Sequence, residues 1–121
     1  MMTAGDPVDD AEVSVELYVE LVLRCAESVP RGRVTTYGAI ADVVGERLGR
    51  GGPRQVGAVM ARHGGGVPWW RVVRADGSLP DSHGAEARMA YLEEGTPLRP
   101  GGGVDLRAAF VSPTLRGADA G

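Results

Sequence analysis

Reactive side chains are scarce in this sequence. Its one cysteine, Cys25, ends an apolar series of Val15, Tyr18, Leu21, Val22 and Cys25, spaced by threes and fours as on one face of a helix. That position makes it a small core hydrophobe, and no base stands beside it in sequence to activate a thiol. A lone cysteine forms no internal disulfide and has no cysteine partner for a structural zinc, so neither metal nor cofactor is expected. Arginines, by contrast, are plentiful and segregated. Residues 31–74 carry Arg31, Arg33, Arg47, Arg50, Arg54, Arg62, Arg71 and Arg74 against only Asp42 and Glu46, a local net of +6 in a chain whose formal net charge is -3. Residues 1–30 set seven acidic side chains against Arg24 alone, and residues 75–121 set seven against four arginines. Such segregation predicts one basic face on an acidic body, and a polyanion is the partner that face suits.

The elements that must present those arginines can be read from apolar period and punctuation. With 121 residues the chain suits one domain, expected over 11–112 between a flexible acidic tail, 1–10, and a second flexible tail, 113–121. A first helix is expected over about 11–28, stopped by Pro30 and Gly32, and a second over about 38–44, capped by Thr36 and ended by Gly45. Gly49 to Gly52 leads to Pro53, the expected first residue of a helix over about 53–63. Two short helices on a tight connection, with arginines in the second, form a helix-turn-helix candidate. Trp70 to Val73 reads as a strand turned by Asp76-Gly77 into a hairpin, which after a helix-turn-helix resembles a wing. A last helix over about 84–94 is expected to bury Ala87, Met89 or Ala90, Tyr91 and Leu92, with Gly95 as its C-cap. Val104, Leu106, Ala109, Phe110 and Val111 should pack back on the domain. The expected fold class is mainly α with a small β-hairpin, a winged helix-turn-helix DNA-binding domain.

The second helix of that pair has its own shape argument. Gly57, Ala58 and Ala61 leave it thin along one side, and an undistorted minor groove only about 6 Å wide admits no helix with bulky side chains. A reader of the major groove would present more long polar side chains, and only Gln55 and Arg62 could serve.

From Val29 to Gly95 the order VPRGRVTTYGAIADVVG, PRQVGAVMA, VPWWRVV, DGSL and YLEEG closely resembles the DNA-binding domain of O6-alkylguanine-DNA alkyltransferases. The resemblance implies a winged helix that enters the minor groove, turns a damaged guanine out of the stack and holds it in a pocket. The enzymes carry Pro-Cys-His-Arg where this chain has Pro68-Trp69-Trp70-Arg71. An indole offers one N–H donor, no nucleophilic lone pair and no base that titrates near neutrality, so neither alkyl transfer nor its general-base activation is expected here. Tryptophan for cysteine marks the alkyltransferase-like branch of that family. Many members of the branch keep histidine next to it, and Trp70 departs from that pattern.

By the same resemblance Arg54 is the finger that replaces the extruded base and Tyr37 helps rotate the target phosphate. Thr36, Gln55, Gly57, Ala58, Ala61 and Arg62 complete the DNA-facing set. The lesion pocket is expected from Tyr37, Val67, Pro68, Trp69, Arg71 and Ser82, with Glu94 a structural hydrogen-bond partner for the hairpin. His63 stands where the family ties the helix end to the pocket loop. In a strand, adjacent side chains point to opposite faces, so Trp69 and Trp70 meet the same base only if the chain bends there. The implied partners are double-stranded DNA containing O6-alkylguanine and nucleotide excision repair proteins. No membrane segment is seen, since no run approaches the roughly 18–20 apolar residues a bilayer requires. A monomer in the cytoplasm, associated with the nucleoid, is expected. A winged-helix regulator or architectural protein without lesion preference, and a protein-interaction module built on the paired tryptophans, are the alternatives that the residues leave open.

Overall fold

Glycines and capping side chains set the helix ends in the computed structural model, which describes residues 7–79 and 83–115. Helix α1 runs Pro7–Glu27. It starts four residues ahead of the expected 11, with Pro7 in the first turn, where a missing N–H costs nothing; residues 7–10 are therefore helix and not tail. Tyr18, Leu21, Val22, Cys25 and Ala26 are buried along one face, but Val15, expected on that face, is 57% exposed.

Strand β1, Thr35–Thr36, leads into α2, Tyr37–Leu48. Thr36 caps α2 by accepting a hydrogen bond from the Ala39 N–H at 3.0 Å. Gly45 does not end α2 as expected. The helix continues while Val44 and Leu48 pack on the core, and Gly49 stops it at a left-handed φ of 75°, its N–H returning to the Gly45 carbonyl. Helix α3 is Pro53–His63, the range its proline and glycines predict. Between α2 and α3, Gly51 has a φ of 93°, and a β-carbon there would collide with the Tyr18 ring. The connection of the helix-turn-helix is thus seated on α1.

Among the described residues the expected hairpin ladder is not seen beyond one backbone bond, from the Arg74 N–H to the Ser78 carbonyl at 2.8 Å. Trp69–Arg71 is a single 3-10 turn, followed by β2, Val72–Val73, whose partner is β1. The two strands run parallel, with Thr35 opposite Val72 and Thr36 opposite Val73. Asp76-Gly77 does make a tight turn, in which the Gly77 N–H bonds the Arg74 carbonyl at 2.8 Å, but no second strand returns among the described residues. The small two-stranded sheet on a mainly helical domain retains the expected fold class, with the wing built differently.

Helix α4, Gly84–Glu94, is capped by Gly95 at a φ of 73°. Only Ala87 and Tyr91 are buried on it; Met89 is 72% and Leu92 62% exposed, so the expected wider stripe is wrong. Ala87 and Tyr91 lie one turn apart and suffice to cover a second core of Val34, Val73, Val104 and Ala109, with α5, Leu106–Ala109, closing it. Phe110 stays 41% exposed. Pro113 is buried, Leu115 packs on the first core and the Thr114 N–H bonds Ser28 Oγ at 3.0 Å, so the ordered domain passes the expected end at 112. Among the described residues no helix is long and apolar enough to cross a membrane.

Replacing Gly51 by alanine should destabilise the fold by about 1–3 kcal/mol, since it forces a side chain into left-handed backbone against Tyr18. Tyr18→Phe should leave stability unchanged or raised, because Tyr18 Oη is buried with no hydrogen-bond partner among the described residues. Urea midpoints of the two variants check both.

Candidate nucleic-acid interface

Helix α3 divides into a buried and a bare side. Val56, Val59 and Met60 hold it to the core, leaving Arg54, Gln55, Ala58, Ala61 and Arg62 exposed and Gly57 half-buried. The Gln55 side chain folds back to accept the Gly52 N–H at 2.9 Å, which occupies the acceptor of the best candidate for reading base edges. Arg54 and Arg62 are then the two cations flanking a surface of glycine and alanine.

Beside that surface opens a cavity of about 310 Å³. Trp69 forms one wall and Tyr37, Gly57, Met60 and Ala61 another, with Gly64, Gly65, Leu79 and His83 completing it. Trp69 packs against both cores and is held from two sides. The Trp70 ring meets it edge-on at 5.5 Å and 85°, and the His83 ring lies 5.3 Å away at 60°. A wall of this kind is rigid and apolar, suited to the face of a planar aromatic ligand.

Of the expected pocket residues, Tyr37 and Trp69 line this cavity, and so do Gly57 and Ala61 from the DNA-facing set. Val67, Pro68 and Arg71 do not. Val67 is buried in the first core, Pro68 caps the turn that carries Trp69, and the Arg71 side chain points inward to Glu94. Ser82 lies outside the described residues. Leu79, His83, Met60, Gly64 and Gly65 were missed. The Gly64-Gly65-Gly66 run was the available signal, since three residues without side chains leave space opposite whatever faces them. His63 is exposed at the end of α3, and no hydrogen bond of its ring ties α3 to the Trp69 turn among the described residues.

The turn itself is fixed by Glu94. Its carboxylate accepts from Trp70 Nε1 at 3.0 Å, from Arg71 Nε at 3.1 Å and Nη2 at 2.7 Å, and from the Gly32 N–H at 3.2 Å. Arg71 Nη1 also donates to the Val29 carbonyl at 2.9 Å. Trp70 is therefore half-buried support that packs in the second core and does not line the cavity. Adjacent residues in a strand could not both reach one carboxylate; a 3-10 turn lets them, and this is why the expected strand bends. Burial pushes the Glu94 carboxyl up, but the bonds from Arg71, Gly32 and Trp70 outweigh it and hold the group below its ordinary range.

A second, shallower groove of about 590 Å³ adjoins the cavity and shares Tyr37 and Gly57 with it. Thr36, Gly38, Pro53, Arg54, Arg74 and Ala75 complete its lining. Cys25 is far from such chemistry, wholly buried in the first core, with its thiol pushed up to about 11 by burial.

Residues 18–95 match the family described as 6-O-methylguanine DNA methyltransferase, DNA binding domain. Proteins named DNA base-flipping protein from Escherichia coli (strain K12) and Shigella flexneri are each 32% identical over 107 residues, covering 84% of this chain and 79% of theirs. The crystal structure of S. pombe Atl1 in complex with damaged DNA containing O6-carboxymethylguanine superposes with a TM-score of 0.66 at 26% identity, covering 81% of this chain and 97% of that one. A second S. pombe structure, ATL in complex with DNA, gives a TM-score of 0.58 at 26% identity, covering 85% and 97%.

Glu94→Ala should destabilise the domain by about 3–5 kcal/mol, because it leaves the Arg71 charge buried without its partner. The depressed carboxyl pKa makes the Glu94 contribution complete above the ordinary value of about 4.3 and lost as pH falls through the lower folded value. Denaturation midpoints followed downward from pH 7 should therefore fall in that acid window for the wild type. In Glu94→Gln they should be lower at neutrality and flatter below it.

Proposed function

This chain belongs to the family of the 6-O-methylguanine DNA methyltransferase DNA-binding domain, on its alkyltransferase-like side, and from that premise we propose that it binds O6-alkylated guanine in duplex DNA without reacting with it. The observation that carries the reading is the cavity walled by Trp69 beside the bare face of α3, with the chain's one thiol buried elsewhere. In this reading α3 enters the minor groove by its Gly57, Ala58 and Ala61 side, and Arg54 fills the space left by the extruded base. The base stacks on Trp69 between α3 and Leu79. Flipping costs a few kcal/mol, least where pairing is already weakened, and O6-alkylation weakens it. Stacking on an aromatic face returns on the order of 1–3 kcal/mol.

No transfer step follows binding. Trp69 and Trp70 stand where the enzymes of this family keep their cysteine and histidine, and neither indole supplies an attacking lone pair or a base near neutrality. The protein's output is then a persistent, distorted complex on the lesion, which nucleotide excision repair would read. The DNA complexes of S. pombe Atl1 and ATL support the duplex as ligand, and the base-flipping name of the bacterial relatives supports extrusion.

Fluorescence anisotropy on duplexes with and without O6-methylguanine, at matched salt, tests this. Tighter binding to the lesion is expected, and equal affinity would remove the proposal. Trp69→Ala should cost the lesion complex about 1–3 kcal/mol while changing undamaged binding little. Arg54→Ala should weaken lesion binding by more than Arg62→Ala does. Incubation with DNA carrying a labelled alkyl group should leave the protein unlabelled, Cys25 included.

A further inference from the structure

The parallel register of the sheet has an effect beyond the strands. With Thr36 opposite Val73, the residue that follows each strand, Tyr37 and Arg74, leaves the sheet at the same end. There both line the shallow groove, together with Pro53, Arg54 and Gly57. Arg74 is exposed, and among the described residues the salt bridges are made by Arg24 and Arg71, so neither Arg74 nor Arg54 is in contact with a carboxylate, although the Arg74 charge is felt at Asp76. The nearest acid in sequence, Asp76, already accepts hydrogen bonds from Ser78 N and Oγ at 3.0 and 2.6 Å. Two cations share the lining of this groove with Gly38, Gly57 and Ala75, whose small size lets an anion approach closely. The positive charge of Arg74 is also felt at the Tyr37 hydroxyl, where it opposes the upward push of burial.

The groove lies where a backbone has to pass. Any nucleotide with its base in the Trp69 cavity and its former place in the duplex taken by Arg54 must carry its sugar and phosphates between those two points. Tyr37 and Gly57, which line both spaces, mark that path. We infer that Arg74 is a further DNA-binding residue, which grips a phosphodiester flanking the extruded nucleotide and so holds the flipped state. The inference rests on the lesion-binding reading. Arg54 and Arg74 then have separate tasks, one inside the stack and one on the backbone, and the phosphate gives Arg74 the direct partner that the protein does not supply.

A chemical double-mutant cycle tests it. Lesion duplexes would carry a neutral methylphosphonate immediately 5′ or 3′ of the O6-methylguanine, and binding would be measured for wild type, Arg74→Ala, Arg74→Lys and Arg62→Ala. Arg74→Ala on native backbone, and the methylphosphonate at one flanking position with wild type, should each weaken binding about tenfold, as loss of a charge-assisted hydrogen bond does. Combined, they should cost little more than either alone, whereas Arg62→Ala should add its full effect. Arg74→Lys should keep the sensitivity to that phosphate, and Arg74→Ala should lower the slope of log affinity against log salt by about 1. Additive losses at both flanking phosphates, in a wild type that still prefers the lesion, would overturn the Arg74 role alone. A wild type that binds damaged and undamaged duplexes equally would remove the reading beneath it, and the Arg74 role with it.

Discussion

A carboxylate almost closed off from water, accepting four hydrogen bonds from three directions, is the constraint around which the candidate site is arranged. The Glu94 side chain is 3% exposed and its Arg71 partner 13%, so both ions have given up most of their hydration and depend on each other's geometry. Glu94 ends α4, Gly32 follows α1, and Trp70 and Arg71 sit at the entry to β2, so one side chain joins three parts of the chain distant in sequence. The Tyr91 hydroxyl adds a bond from α4 to the Trp70 carbonyl at 2.7 Å. Because Trp70 and Arg71 must both face Glu94, the backbone turns there, and the turn delivers Trp69 to the cavity wall.

What the turn delivers is a surface for stacking. The Trp69 ring is braced by Trp70 and His83, and the facing wall of α3 is thinned by Gly57 and Ala61. In the proposed reading, binding energy at such a site comes from contact, desolvation and phosphate pairing, with no bond made or broken. The thiol that could have suggested otherwise stands in the first core, where burial keeps it protonated at neutral pH.

Charge counted along the sequence overstates the basic face. Of the eight arginines between residues 31 and 74, Arg71 is neutralised by Glu94, and Arg33 donates to the Ala108 carbonyl at 2.8 Å. Arg54, Arg62 and Arg74 stand exposed near the bare side of α3 and the groove. The acidic body and the basic strip are consequences of which arginines found internal partners, which the net of a segment does not contain.

Local rules sufficed for several of the helix ends. Pro53 and the glycine run bounded α3, Gly95 ended α4, and the Thr36 cap started α2, because capping and left-handed backbone are decided by a few neighbouring residues. The family motifs named both Tyr37 and Trp69 for one site, and the two line the same cavity. Local rules failed where distant partners compete. Gly45 was outvoted by the packing of Val44 and Leu48, and the strand expected from Trp70 begins only at Val72 and pairs with β1, because Trp70 and Arg71 turn to meet Glu94. Residue types and local backbone preferences are written in the order of the chain. The cavity, its walls from Leu79 and His83 and the meeting of Arg74 with Tyr37 arise from strand register and one buried ion pair, both of which join residues far apart in sequence and exist only once the chain has folded.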